Sequence, residues 1–269
     1  MSEFIAGPHS RELWEHVEPI IKDIEALPFI EQLSDGSLDP KVFVHYLLQD
    51  EVYLDGYGRA MAQLSGKSSR NDDMQFWAGA TSEAVVAENE LHEAVFADEV
   101  FAPLVKEIQQ ETAGTRGLRH GERGSDEGRD AEAVIASPTS LGYVSFLMAT
   151  AALRPYQVGV AGVLPCFWVY AHIGKVLMKK AGSNLEGHPV ASWITMYDSP
   201  EFDESTRGAV AILEREMEQA TPALRAEMKA VFEQASLYEL HFWASAHVYE
   251  TGQPPCPDGL ALIHEAPLA

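Results

Sequence analysis

Basic residues and cysteine are both scarce in this chain. Among 269 residues there are 19 Lys and Arg against 41 Asp and Glu, a formal net charge of −22. Such a surface repels phosphate backbones, because nucleic-acid affinity rests on cations neutralising phosphates, and an anionic membrane face is disfavoured for the same reason. No nucleic-acid or membrane partner is therefore expected. Two cysteines, Cys166 and Cys256, cannot build a disulfide framework. The sequence has no glycine-rich phosphate loop after a strand, no Cys-x-x-Cys pair and no Gly-x-Ser-x-Gly elbow. It has no heptad run and no repeat with a period of about 20–50 residues. The opening MSEFIAGPHSRELWEH lacks a basic region followed by an apolar stretch, so no signal peptide is expected and the location expected is cytoplasmic. The excess of acid also suits a salt-adapted cytosol.

Apolar residues are plentiful at 46%, enough for a sizeable core. They recur mostly at helical spacing, and no alternating β-branched run is long enough for a sheet. The spacing predicts a helix over 11–26, capped by Ser10 and bent at Pro19, with Leu13, Trp14, Val17, Ile20, Ile21 and Ile24 as its buried stripe. After the loop SDGSLD, Asp39 and Pro40 open a helix to about 65. Further helices are predicted over 72–97, 98–112, 138–153, 157–181, 189–198, 201–219 and 222–250, the whole reading as an all-α bundle. Residues 158–174 carry no Asp, Glu, Lys or Arg, yet they include a proline and a histidine. They read as the buried central helix of a bundle rather than a membrane span. One domain is expected over 1–251, with a Gly-rich surface loop inserted at 113–130 and an extended tail at 252–269.

Several residues could carry chemistry. Tyr46, Asp50, Tyr53 and Tyr57 follow one another at steps of three and four, which puts them on one helix face. The apolar neighbours suggest that this face turns inward, where a carboxylate needs a partner. The stripe is either a ligand site or an aspartate held by tyrosines for structure. Cys166 sits in the most apolar helix, with Tyr170 one turn on. It is either an inert small hydrophobe or a nucleophile activated by a neighbour. Glu239 shares a face with Ala235, Ser236, Phe242 and Trp243, where a glutamate is either buried with a partner or has a raised pKa suited to acid–base work. Glu88 and His92 have metal-ligand spacing, with Glu239, His241 or His172 as distant partners. A helical di-iron site needs carboxylates and Glu-x-x-His from four helices, and two of the helices here lack them. A structural hydrogen-bonded pair is the better reading, and no metal is expected.

Taken in order, these segments resemble one family. LPFIEQLSDGSLDPKVFVHYLLQDEVYL resembles the opening of thiaminase II (TenA) proteins. ASPTSLGYVSFL resembles their Ser-Pro-Thr helix with its inward tyrosine, and LPCFWVYAHIG their Cys-x-Trp-x-Tyr-x-x-x-Gly helix. HPVASWITMY resembles a short helix ending in tyrosine, and YELHFWASA the closing Glu-x-x-Phe-Trp helix. Leu27 stands where the family has histidine before Pro-Phe. The resemblance implies a haem-oxygenase-like all-α fold without haem, no cofactor, and a homotetramer. It implies hydrolysis of an aminomethylpyrimidine, or of thiamin itself, to the hydroxymethylpyrimidine. It makes Cys166 the nucleophile, Glu239 the acid and base, and Asp50 the holder of the aminopyrimidine edge. It makes Tyr53, Tyr143, Tyr170 and Tyr197 the lining of the pyrimidine slot. Two other readings stay open, a metal-dependent oxidase using Glu88, His92 and Glu239, and a non-enzymatic pyrimidine-binding regulator.

Overall fold

The structure is a computed structural model that describes residues 2–96, 98–112, 119–120, 134–182 and 185–250. Ten helices are formed by these residues: α1 (Pro8–Glu25), α2 (Pro28–Asp35), α3 (Pro40–Lys67), α4 (Asn71–Phe96), α5 (Ala102–Thr112), α6 (Pro138–Leu153), α7 (Tyr156–Ala181), α8 (Ala191–Tyr197), α9 (Pro200–Gln219) and α10 (Pro222–Glu250). Proline opens α1, α2, α3, α6, α9 and α10, where its fixed φ suits the first helical turn and its missing N–H costs nothing. Asp39, Ser137 and Thr221 accept hydrogen bonds from Lys41, Ser140 and Leu224 N–H groups at the heads of α3, α6 and α10. At the far end of α6, Lys67 donates to the carbonyls of Ala151, Ala152 and Arg154, satisfying acceptors the helix leaves open.

Three expectations are corrected. The first helix starts at Pro8, and Ser10 is its third residue rather than its cap. The Ser10 hydroxyl reaches back to accept from the N–H groups of Ala6 and Gly7 at 3.1 and 3.0 Å. The Glu214 carboxylate of α9 completes this end, accepting from Ser10 and His9 N–H at 2.6 and 3.1 Å. Burial opposes its charge, but those hydrogen bonds win and hold its pKa below the ordinary carboxylate range. Second, α2 covers a stretch for which no helix is predicted and takes in Ser34 and Asp35 of the expected loop; its two turns bury Phe29, Ile30 and Leu33 and stop at Gly36 with φ +77°. Third, a minimal antiparallel ladder pairs β1 (Arg119–His120) with β2 (Val134–Ile135), Arg119 opposite Ile135. Apart from Arg119 and His120, the expected loop over 113–130 lies outside the described residues, as do the tail and Cys256.

The bundle is organised around α7, which packs against α10, α9, α6, α8, α3 and α2. This explains why its apolar residues run all the way round. Of the described helices, it alone is long and apolar enough to cross a membrane, and 78% of its apolar window is buried inside the bundle. Away from the site described below, the buried Asp73 of α4 is held by Arg215 of α9 and by the Tyr156 hydroxyl of α7, to which Trp77 also donates at 2.8 Å. That polar cluster ties three helices together at one end of α7.

Candidate active site

The inward stripe of α3 sets one wall. Tyr46, Asp50, Tyr53 and Tyr57 are each no more than 3% exposed, so the face chosen by the sequence spacing does turn into the core. A buried amide next to Asp50 fixes α6 against this wall. Gln49 donates to the Ile135 carbonyl at 2.9 Å and accepts from Ser137 N–H and the Ser140 hydroxyl at 2.8 and 3.0 Å. Tyr143 follows one turn after Ser140 on α6, and its ring lies 4.8 Å from that of Tyr53.

Glu239 enters from α10 and is 1% exposed. Its carboxyl accepts from the Tyr143 hydroxyl at 2.6 Å. Burial pushes its pKa up to about 8, an effect that Asp50 reinforces and that the Tyr143 hydroxyl and the nearby Trp243 indole only partly offset. At neutral pH it therefore stands mostly as the acid.

Cys166, on α7, is half-buried and forms no disulfide with a described residue. It lies near enough to Tyr53, Tyr57 and Tyr143 that its charge is felt by all three hydroxyls, whose pKa values burial already raises. One turn on, Tyr170 shares a 2.9 Å hydrogen bond with Tyr46, and its ring lies 4.8 Å from Tyr197 and 5.0 Å from Trp243. Tyr197 closes α8. It reaches this position because α8 lies against the backbone of Gly174, where a Cβ would stand 2.5 Å from the Tyr197 carbonyl oxygen. All seven residues anticipated from the sequence thus come from five helices to one interior region.

Tyr46 and Tyr57 lie on the α3 stripe that the spacing marks as a candidate ligand site, although the family resemblance gives neither a role, and nothing in the sequence singles out Gln49. Tyr238, stacked on Tyr143 at 5.0 Å with 7° between the planes, gave no signal. The side chains of Glu88 and His92 lie outside those described. His172 pairs with Glu25 at 2.6 Å, and His241 is exposed. Among the described residues no three His, Cys, Asp or Glu side chains converge as a metal ligand set.

The all-α bundle built around α7 has the haem-oxygenase-like fold. A domain from Shewanella denitrificans described as having a heme oxygenase-like fold superposes with a TM-score of 0.58 at 14% identity, over 91% of this chain and 97% of that one. A TenA homologue from P. horikoshii gives a TM-score of 0.65 at 24% identity, over 88% and 97%. The TENA/THI-4/PQQC family profile matches residues 14–100 and 127–249, and the chain belongs to that family. It is 34% identical over 242 residues to the thiamine biosynthesis multifunctional protein ThiED of Corynebacterium glutamicum, covering 90% of this chain but 27% of that protein. It is 26% identical over 236 residues to the aminopyrimidine aminohydrolase of Halalkalibacterium halodurans, covering 87% of this chain and 93% of that one.

Proposed function

We propose that the protein is an aminopyrimidine aminohydrolase of the thiaminase II type, which releases the amine from 4-amino-5-aminomethyl-2-methylpyrimidine, or the thiazole from thiamin, in thiamin salvage. The observation that supports this most is Glu239, buried as an acid on the Tyr143 hydroxyl in the same region as Cys166 and Asp50. An amine on a benzylic-type carbon is a poor leaving group in direct displacement. A thiolate adding to the electron-poor ring changes this, because the ring electrons then expel the amine. The leaving nitrogen takes the Glu239 proton. Water adds to the exocyclic methylene, its proton passes to the Glu239 carboxylate, and the carbon–sulfur bond breaks to restore the aromatic ring. The net change is addition of water and loss of ammonia, with thiolate and acid regenerated.

In this reading Asp50 accepts from the 4-amino group and orients the ring for attack. Tyr53, Tyr143, Tyr170 and Tyr197 form a flat slot with polar tips. The chemistry needs no metal or cofactor. A homotetramer working in the cytoplasm completes the reading. The exposed apolar side chains Met74, Val85 and Val86 of α4 and Leu141 and Leu153 of α6 are consistent with a partner surface. Light scattering on the purified protein checks this part, with a mass near four times 29.6 kDa expected. For the activity, the purified protein is incubated with the aminomethylpyrimidine and separately with thiamin. Hydroxymethylpyrimidine is expected from at least one of them, and its absence from both rejects the assignment.

A further inference from the structure

We propose that Gln49 is a positioning residue for the acid of this site: it holds the head of α6 so that the Tyr143 hydroxyl meets the Glu239 carboxyl. The inference rests on Glu239 being the proton donor of the proposed reaction. Gln49 lies on α3 beside Asp50 and is 5% exposed. Its Nε2 donates to the Ile135 carbonyl of β2 at 2.9 Å. Its Oε1 accepts from the Ser137 N–H at 2.8 Å and from the Ser140 hydroxyl at 3.0 Å, so both lone pairs of that oxygen are used. Ser140 is fully buried, and Tyr143 follows it three residues on, on the same face of α6. The Tyr143 hydroxyl then donates to Glu239 at 2.6 Å. One helical turn of α6 thus carries hydrogen bonds of 3.0 Å or less at both ends, to α3 at one and to α10 at the other.

Packing alone does not aim this turn. Further along, α6 meets α3 where Val144 lies against Gly56, and a Cβ on Gly56 would stand 2.3 Å from Val144 Cγ1. That contact brings the helices close, but it is apolar and has no preferred direction. Hydrogen bonds do have one, weakening steeply as they bend. The Ser137 hydroxyl also accepts from the Ser140 N–H at 3.0 Å, but this bond lies within the head of α6 and does not tie it to α3. The three bonds of the Gln49 amide therefore set how α6 is turned about its contact with Gly56. The titratable groups around Glu239 are Asp50, Tyr53 and Tyr57 of α3, Tyr143 of α6 and Tyr170 of α7, with Cys166 in the same region. Among them the Tyr143 hydroxyl most favours the charged carboxylate, against burial and Asp50. Turning Tyr143 away removes that support and leaves the acid without the contact that orients it.

The test follows protonation of Glu239 against pH by the infrared carbonyl stretch of its carboxylic acid, with Glu239→Gln identifying the band. Gln49→Leu keeps the bulk of the side chain and removes all three bonds. It is expected to move the Glu239 titration to higher pH by about one unit, the scale of one lost hydrogen bond. In steady state kcat should fall about tenfold, because the acid is no longer oriented. In a Tyr143→Phe background the same substitution should add no further shift. Should the leucine variant not fold, Ser140→Ala decides the matter: it removes one of the three bonds and should move the titration the same way by about half as much. A folded variant whose titration or kcat matches wild type overturns the proposal, as does an equal shift with and without the Tyr143 hydroxyl. The infrared titration needs no substrate, so a protein inactive on pyrimidines would reject the proposed function while leaving this result readable.

Discussion

Glu239 makes the chain less stable at neutral pH than a glutamine there would. Its folded pKa, about 8, lies above the ordinary carboxyl value. The unfolded chain loses this proton near pH 4.5 and the folded chain keeps it, so the stabilisation is full below pH 4.5 and is lost as pH rises towards 8. Denaturant melts from pH 5 to 8.5 should show wild type losing stability relative to Glu239→Gln, on the order of 2–4 kcal/mol by pH 8. Parallel curves for the two proteins would mean that the carboxyl is ionised throughout. The same variant separates the two carboxylates. Glu239→Gln keeps the Tyr143 hydrogen bond but has no proton for the leaving nitrogen, so kcat should fall about 10²–10⁴-fold with little change in product binding. If Asp50 holds the 4-amino group as proposed, Asp50→Asn turns its acceptor into a donor and should weaken product binding by about 1–3 kcal/mol. Product titration beside kinetics checks both, and binding lost in the glutamine variant instead of the asparagine one would reverse the roles.

At the scale of elements, the helices were legible where the sequence marks their ends chemically. Proline at the first turn, with Asp39, Ser137 or Thr221 before it, placed α3, α6 and α10 to within a few residues. α2 was not legible, because two turns offer too few apolar positions for a period to show. The β1–β2 ladder was not legible because two residues per strand carry no alternation. The α3 stripe could be read from spacing alone. That Cys166 and Glu239 meet it could not, since this depends on how α7 and α10 cross α3; there the family resemblance supplied what spacing lacked. Tyr57 illustrates the limit. Its place on the stripe is local information, but its partner is a carbonyl 106 residues away. The approach of α8 to α7 is of the same kind, and it gives a prediction. Gly174→Ala would put a Cβ against the Tyr197 carbonyl, where backbone rather than a flexible side chain must yield. A destabilisation of about 1–3 kcal/mol is expected, with weaker product binding as Tyr197 moves off Tyr170. A fully stable variant with normal binding would show that α8 does not shape the site.

At the scale of the molecule, a charge of −22 spread over one chain opposes compaction, because like charges are closer in the folded state. Screening relieves this, so Tm should rise when NaCl goes from about 0.01 to 0.5 M, the Debye length shrinking from about 30 Å to under 8 Å. A Tm independent of salt would indicate that the charges are already spaced or paired well enough not to matter. The bundle carries α3, α6, α7, α8 and α10 to a common interior where a thiol, two carboxylates and four tyrosines meet. The proposed chemistry depends on the Cys166 thiol. Cys166→Ser is nearly the same size, but its hydroxyl is far less acidic, so the covalent route is closed while the fold is kept. Turnover of the aminomethylpyrimidine by this variant, with its circular dichroism and melting matched to wild type, is the decisive measurement. Loss of at least about 10³-fold in kcat is predicted, and a serine variant as active as wild type would contradict nucleophilic catalysis by Cys166.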